Sequence, residues 1–175
     1  MVRYKEDHFR LNVFYLIQFL ISLVVVIPFL DGATLITGDL STFNVTFNNS
    51  PDPAYIEAVT IAVEEAASAW PSEVVVQLVV NFQAPTTFLG LGFATSSREI
   101  DTIFFPIASA EALEGRNLNG DNFDVEIQFS TQNWHTDVNS NPSATEPDLI
   151  TVALHELMHG LFYVGNYNAG GDRQI

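Results

Sequence analysis

The segment His155-Glu156-Leu157-Met158-His159 combines residue types and a spacing that suit metal-assisted hydrolysis. Residues four positions apart lie on one face of a helix, so both imidazoles can bind a single Zn²⁺ at about 2.0–2.1 Å. Glu156 stands beside the first histidine and can reach a water molecule at the metal without binding the metal. Zinc lowers the pKa of such a water towards about 7, and a carboxylate can then take its proton. The segment therefore predicts His155 and His159 as zinc ligands and Glu156 as the general base.

The residues around this segment favour a functional role over a chance match. They are uncharged and mostly apolar, which indicates a helix with one buried side: Val152, Ala153, Leu154, Leu157, Met158, Gly160 and Leu161. Ionisable groups on such a helix need a reason, because unpaired burial costs several kcal/mol. The alternative is a helix that merely shows His155, Glu156 and His159 to solvent.

The run TVALHELMHGL, residues 151–161, resembles the active-site helix of the zincin metallopeptidases. In particular it is similar to poorly characterised secreted zincins with a His-Glu-Leu-x-His-Gly-Leu-Gly-Phe helix. The resemblance extends more weakly over residues 40–165. It implies a zincin-like mixed sheet, a Zn²⁺ cofactor and a peptide or protein substrate. It also implies that the strand Asp124–Phe129 lines the cleft as the edge of the sheet and pairs with an extended peptide.

The third zinc ligand is where the chain departs from the zincin branches. Phe162 and Gly165 stand where metzincins have a glycine and a third histidine, and no glutamate follows the motif. Asp172 is the single acidic residue downstream, and His135 is an upstream alternative. We expect the chain to be a fragment whose third ligand lies beyond Ile175.

The coarse pattern of the chain indicates an α+β domain with the order β-α-β-β-α-β-loop-α. The first helix is expected to begin at Asp52, a natural N-cap, with Pro53 in the first helical position, and to end at Trp70 before Pro71. The glycines of residues 89–93, LGLGF, indicate a turn. Strands are expected at residues 40–48, 73–82, 100–107 and 124–129, and further helices at residues 108–114 and 146–163.

The polar loop of residues 116–122 offers a second, weaker metal hypothesis. Asn117, Asn119, Asp121 and Asp124 alternate like the ligands of a calcium loop. The glycine is misplaced and no glutamate closes the site, so a solvated loop is the favoured interpretation.

Charge and composition exclude several classes of function. The chain has 6 Lys+Arg against 21 Asp+Glu, a formal net charge of −15, and a surface this acidic repels phosphate backbones. We therefore expect no nucleic-acid partner. The chain has no cysteine, which excludes disulfides, thiolate zinc sites and a cysteine nucleophile.

The N-terminus has the layout of an export signal. Residues 1–10 carry Arg3, Lys5 and Arg10, and residues 11–30 are almost wholly apolar. We expect residues 1–33 to be a cleaved signal peptide or an uncleaved signal anchor, with a buried core helix as a third alternative. Cleavage after Ala33 is disfavoured by Asp31 at the position where a small residue is wanted.

Taken together, the sequence predicts that residues 34–175 form a zincin-like metallopeptidase domain, C-terminally truncated. We expect it to be secreted or held at the extracellular face of a membrane through residues 11–30. The competing hypothesis is a non-catalytic zincin-like domain, used for surface binding or adhesion, whose metal site is incomplete.

Overall fold

The computed structural model describes residues 32–49, 51–84 and 87–162. Together these residues form a mixed α+β fold, which confirms the fold class that the sequence predicts. The strands are β1 (Ala33–Thr37), β2 (Thr42–Asn48), β3 (Val76–Gln83), β4 (Gly90–Ala94), β5 (Ser97–Ile100), β6 (Ile103–Pro106) and β7 (Val125–Ser130). The helices are α1 (Pro53–Ala69), α2 (Ile107–Glu114) and α3 (Leu149–Leu161).

Five strands form one mixed sheet in the order β1-β2-β3-β7-β4. The inner strands β2, β3 and β7 are parallel, while β1 and β4 pair antiparallel at the two edges. One row of the register joins Val45, Leu78 and Val125, and all three are fully buried. Side chains alternate between the two faces along each strand. One face of the sheet therefore packs against the helices, and the other carries amide and carboxylate side chains.

Helix α1 begins where its cap residues predict. The Asp52 carboxylate accepts a hydrogen bond from the backbone N–H of Ala54 at 2.8 Å, and Pro53 occupies the first turn. The helix ends at Ala69, and Trp70 is its C-cap. The buried face packs into the core: Ala58, Val59, Ala62, Val63 and Ala67.

Helix α3 lies on the same face of the sheet and belongs to the same core. Asp148 is its N-cap and accepts a hydrogen bond from the backbone N–H of Thr151 at 3.0 Å. Its buried apolar residues recur every four positions: Leu149, Ala153, Leu157 and Leu161. The expected helix is confirmed, within shorter bounds than residues 146–163.

Two sequence-based expectations about strands are wrong, and the pattern does not predict β1. Residues 90–93 of the expected turn lie in an extended strand, β4. The expected strand of residues 100–107 is a hairpin of β5 and β6, which reverses at Asp101 and Thr102, both with positive φ. Ala33, the residue of the disfavoured cleavage site, pairs with Thr46 in the sheet.

The export segment lies almost wholly outside the described residues. Within residues 32–49, 51–84 and 87–162, no helix is long and apolar enough to cross a membrane.

Candidate metal centre

The two histidines of α3 point their ring nitrogens at the same place. The Nε2 atoms of His155 and His159 are 3.1 Å apart, and the two rings are nearly perpendicular, with centroids 4.7 Å apart. His155 is exposed and His159 is half-buried, so the pair lies on the outer side of the helix. The spacing of four residues thus brings together the two imidazoles that the sequence singles out.

Glu156 is buried against the sheet. Only 7% of its surface is exposed, although it lies next to exposed His155 in sequence. Its side chain lies under strand β4: a Cβ built on Gly90 would lie 2.8 Å from Glu156 Cγ and 3.0 Å from Oε1. The proposed base is therefore held between α3 and the edge of the sheet.

Glycines allow the helix to approach the sheet this closely. A Cβ on Gly92 would lie 2.0 Å from the backbone oxygen of Glu156, which no real side chain could tolerate. On the helix side, a Cβ on Gly160 would lie 2.3 Å from Val125 Cγ1. The segment from Glu156 to Gly160 therefore packs closely against β4 at its first residue and against β7 at its last.

Strand β4 is the edge of the sheet beside this segment, where Gly90 is half-buried and Gly92 is buried. Ser130 N–H donates to the Leu89 carbonyl at one end of the β4–β7 ladder, and Thr95 N–H donates to the Asp124 carbonyl at the other, both at 3.0 Å. In an antiparallel pair the direction of these groups alternates with each residue. The N–H and C=O groups of Gly90 and Gly92 therefore point away from β7, to the side where no described strand pairs with β4.

The expectation that Asp124–Phe129 forms the edge of the sheet is wrong. This segment is strand β7, which lies between β3 and β4 and pairs with both. Its backbone groups are used within the sheet, so it cannot add a peptide strand. The edge beside α3 is β4, whose glycines predict a turn from the sequence alone.

The structure brings no third ligand to the two histidines from the part of the chain that it describes. No group of three or more His, Asp or Glu side chains there could hold a metal ion. His135 lies elsewhere: its backbone pairs with Pro147 and Leu149 at the start of α3, and its Nε2 lies 3.0 Å from the Ser140 carbonyl. The described residues do not group His135 with His155 and His159, and Asp172 lies outside them.

Three side-chain oxygens of the alternative calcium loop accept hydrogen bonds from the chain itself. Asn117 Oδ1 accepts from the backbone N–H groups of Asn119 and Gly120, which makes a turn. Asp124 Oδ2 accepts from the Gln77 N–H and Oδ1 from Asn119 Nδ2, both at 2.7 Å. These bonds favour a structural loop over a calcium site.

Asp124 is nonetheless electrostatically unusual. It is buried, and burial raises its pKa from 3.8 to about 6, assisted by the nearby carboxylate of Glu111 and opposed by the Gln77 and Asn119 hydrogen bonds. Asn119 Oδ1 is buried and has no hydrogen-bond partner. Asp124 lies at the foot of β7, where it fixes the loop against the sheet.

The sequence did not single out Gly90, Gly92 or Gly160 as parts of the site. Their role depends on tertiary contacts, and the one sequence pattern they show, glycine at alternate positions of β4, is equally typical of a turn. Comparison of the chain with models of protein families, with curated proteins and with solved structures finds no match.

Proposed function

We propose that this protein is a zinc-dependent peptidase in which His155 and His159 bind the metal and Glu156 is the general base. The observation that carries the proposal is the 3.1 Å separation of the two Nε2 atoms on one face of α3. The mixed sheet, with an antiparallel edge strand beside this helix, supports a zincin-like arrangement.

The donor set fits zinc. Two nitrogens bound to zinc at about 2.0–2.1 Å in tetrahedral geometry are roughly 3.4 Å apart. The separation of the His155 and His159 Nε2 atoms is within a few tenths of an ångström of that value. Small side-chain movements would therefore bring both nitrogens to zinc-binding distance. Neutral imidazole is a preferred zinc ligand, and bound zinc would polarise a peptide carbonyl and make water a stronger acid.

The burial of Glu156 against β4 supports a role in proton transfer instead of metal binding. Its carboxylate is covered by β4, whereas His155 is exposed and His159 is half-buried. Shielding from bulk water keeps the carboxylate in one orientation and strengthens its interactions. In the proposed reaction, Glu156 takes a proton from the attacking water and gives it to the departing amine, so it ends the cycle unchanged.

The open edge of β4 supports a peptide as the substrate. An extended peptide can pair with the outward N–H and C=O groups of half-buried Gly90 by β-strand addition. Such pairing recognises the backbone, which every peptide has. The substrate would then lie beside the helix segment that carries the histidines.

A non-catalytic binding or adhesion domain is the alternative, and one observation favours it. Within the described residues only two side chains are arranged as ligands, whereas catalytic zinc sites in proteins usually have three. The presence of Glu156 in the same His-Glu-x-x-His segment as the two histidines favours the peptidase.

The experiment that separates the two is a proteolysis assay on the full chain with added zinc and an unfolded generic protein substrate. The peptidase predicts cleavage that a chelator stops, and that zinc restores. Glu156→Gln should reduce the rate by about 10²-fold or more, while Glu126→Gln, on the opposite face of the sheet, should not. Cleavage that survives Glu156→Gln contradicts the proposed mechanism, and zinc binding without cleavage supports the alternative.

We further propose that the domain works outside the cell. The basic and then apolar start of the chain supports this, as does an acidic domain without a basic patch to hold it on anionic lipid. Fractionation of cells that express a C-terminally tagged chain tests it. Tag in the medium or in alkali-resistant membranes agrees with export, and a soluble cytosolic pool of uncleaved chain contradicts it.

A further inference from the structure

Gly90 is the residue of the sheet edge that lies against the functional end of Glu156. A Cβ built on Gly90 would meet three side-chain atoms: Glu156 Cγ at 2.8 Å, Glu156 Oε1 at 3.0 Å and Val152 Cγ1 at 3.0 Å. Separations under 3.0 Å are shorter than real contacts of a Cβ atom, so the Glu156 side chain would have to move. No backbone atom is among these three neighbours.

Gly92, two residues further along the same strand, differs in the kind of atom it meets. The three nearest atoms to its built Cβ are the backbone O, C and Cα of Glu156, at 2.0, 2.6 and 2.8 Å. A side chain there would push the strand and the helix apart. The two glycines therefore have separable roles: Gly92 allows the elements to pack, and Gly90 leaves space for the carboxylate-bearing side chain.

We infer that Gly90 is a positioning residue for Glu156. The effect expected on catalysis rests on the proposed function. Because Gly90 has no side chain, the Glu156 carboxylate can lie in the space between α3 and β4. Proton transfer requires hydrogen-bond distance, about 2.6–3.2 Å between heavy atoms. Misplacement by about 1 Å can cost 10²-fold in rate. Gly90→Ala thus displaces the base while retaining its charge and both histidines.

The kinetic test compares Gly90→Ala with the wild-type full chain in the presence of zinc. We expect kcat to fall by about 10- to 100-fold, while KM and zinc affinity stay within about 2-fold. Val152→Ala added to Gly90→Ala should recover part of the lost kcat, because it removes one of the three atoms that crowd the new methyl group. Unchanged kcat in Gly90→Ala overturns the inference.

Gly38→Ala is the matched control for a general loss of stability. A Cβ on Gly38 would lie 2.5 Å from backbone atoms of Ala67 and Ser68, at the C-terminal end of α1 and away from Glu156. This variant should melt at a lower temperature but retain kcat when assayed well below its Tm. If Gly38→Ala loses kcat as much as Gly90→Ala does, the effect is not specific and the inference fails.

A double-mutant cycle tests the placement without any activity measurement. Gly90→Ala should lower Tm by about 5 °C in the wild-type background. In the Glu156→Ala background, which has neither Cγ nor Oε1, the loss should be much smaller or reversed. Equal losses in both backgrounds overturn the inference. If the wild type shows no chelator-sensitive cleavage, the proposed function fails, and this cycle still decides whether Gly90 positions Glu156.

Discussion

Gly160 and Val125 are in such close contact that a methyl group on Gly160 would lie 2.3 Å from Val125 Cγ1. Gly160 directly follows the second histidine, and Val125 is the first residue of the inner strand β7. This contact holds the C-terminal part of α3 against the sheet. It therefore determines where His159 stands relative to the rest of the domain.

Gly160→Ala should destabilise the protein, although alanine normally stabilises a helix relative to glycine by about 1 kcal/mol. Overpacking against Val125 should outweigh that gain and lower the free energy of unfolding by about 1–3 kcal/mol. Denaturant unfolding measures the difference. In the Val125→Ala background the same substitution should be neutral or stabilising. If Gly160→Ala alone raises the free energy of unfolding, the contact with Val125 does not exclude a methyl group at residue 160, and the prediction is wrong.

The raised pKa of Asp124 predicts a specific dependence of stability on pH. Its folded-state pKa of about 6 exceeds the ordinary value of 3.8, so the folded state binds the proton more tightly. The stability that this gives is fully present below pH 3.8 and is lost as the pH rises towards 6. The full loss is on the order of 2–3 kcal/mol.

Asp124→Asn should remove this dependence. An amide at residue 124 can still accept from the Gln77 N–H, and its NH₂ can donate to Asn119 if that side chain turns its Oδ1 inwards. The measurement is the difference in unfolding free energy between wild type and variant at pH 4 and pH 7 (roughly the two ends of the transition). The variant should gain relative to wild type at the higher pH, and a constant difference contradicts the assignment.

Backbone recognition by β4 predicts an alternating effect of substrate N-methylation. The outward groups of β4 occur at every second residue, because the intervening ones bond to β7. A series of peptides, each with one N-methyl group, should therefore show raised KM only at alternate positions near the cleaved bond. Equal tolerance at all positions would mean that the peptide does not pair with this edge.

The elements that the sequence predicted well are those whose causes are local. Asp52 and Pro53 mark the start of α1 through their own side chains, and the spacing of His155 and His159 is a property of any helix. No distant contact was needed to anticipate them.

The elements that were missed depend on contacts between distant parts of the chain. Gly90 and Gly92 indicate a turn when viewed in sequence, and only the approach of Glu156 explains why they lie in a strand. With β4 unrecognised, β7 was assigned to the edge of the sheet. β1 is short and follows the apolar run of residues 11–30, so its own pattern was not distinguished from that run.

The central claim is that His155 and His159 bind one Zn²⁺ together, and a zinc titration of the full chain, monitored by calorimetry, tests it most directly. The chain offers its own matched control in His135, whose ring bonds to the Ser140 carbonyl away from the pair. The account predicts one zinc per chain, with binding weakened at least about 10-fold by either His155→Ala or His159→Ala and unchanged by His135→Ala. Zinc binding that survives loss of both α3 histidines, or that depends equally on His135, would contradict it.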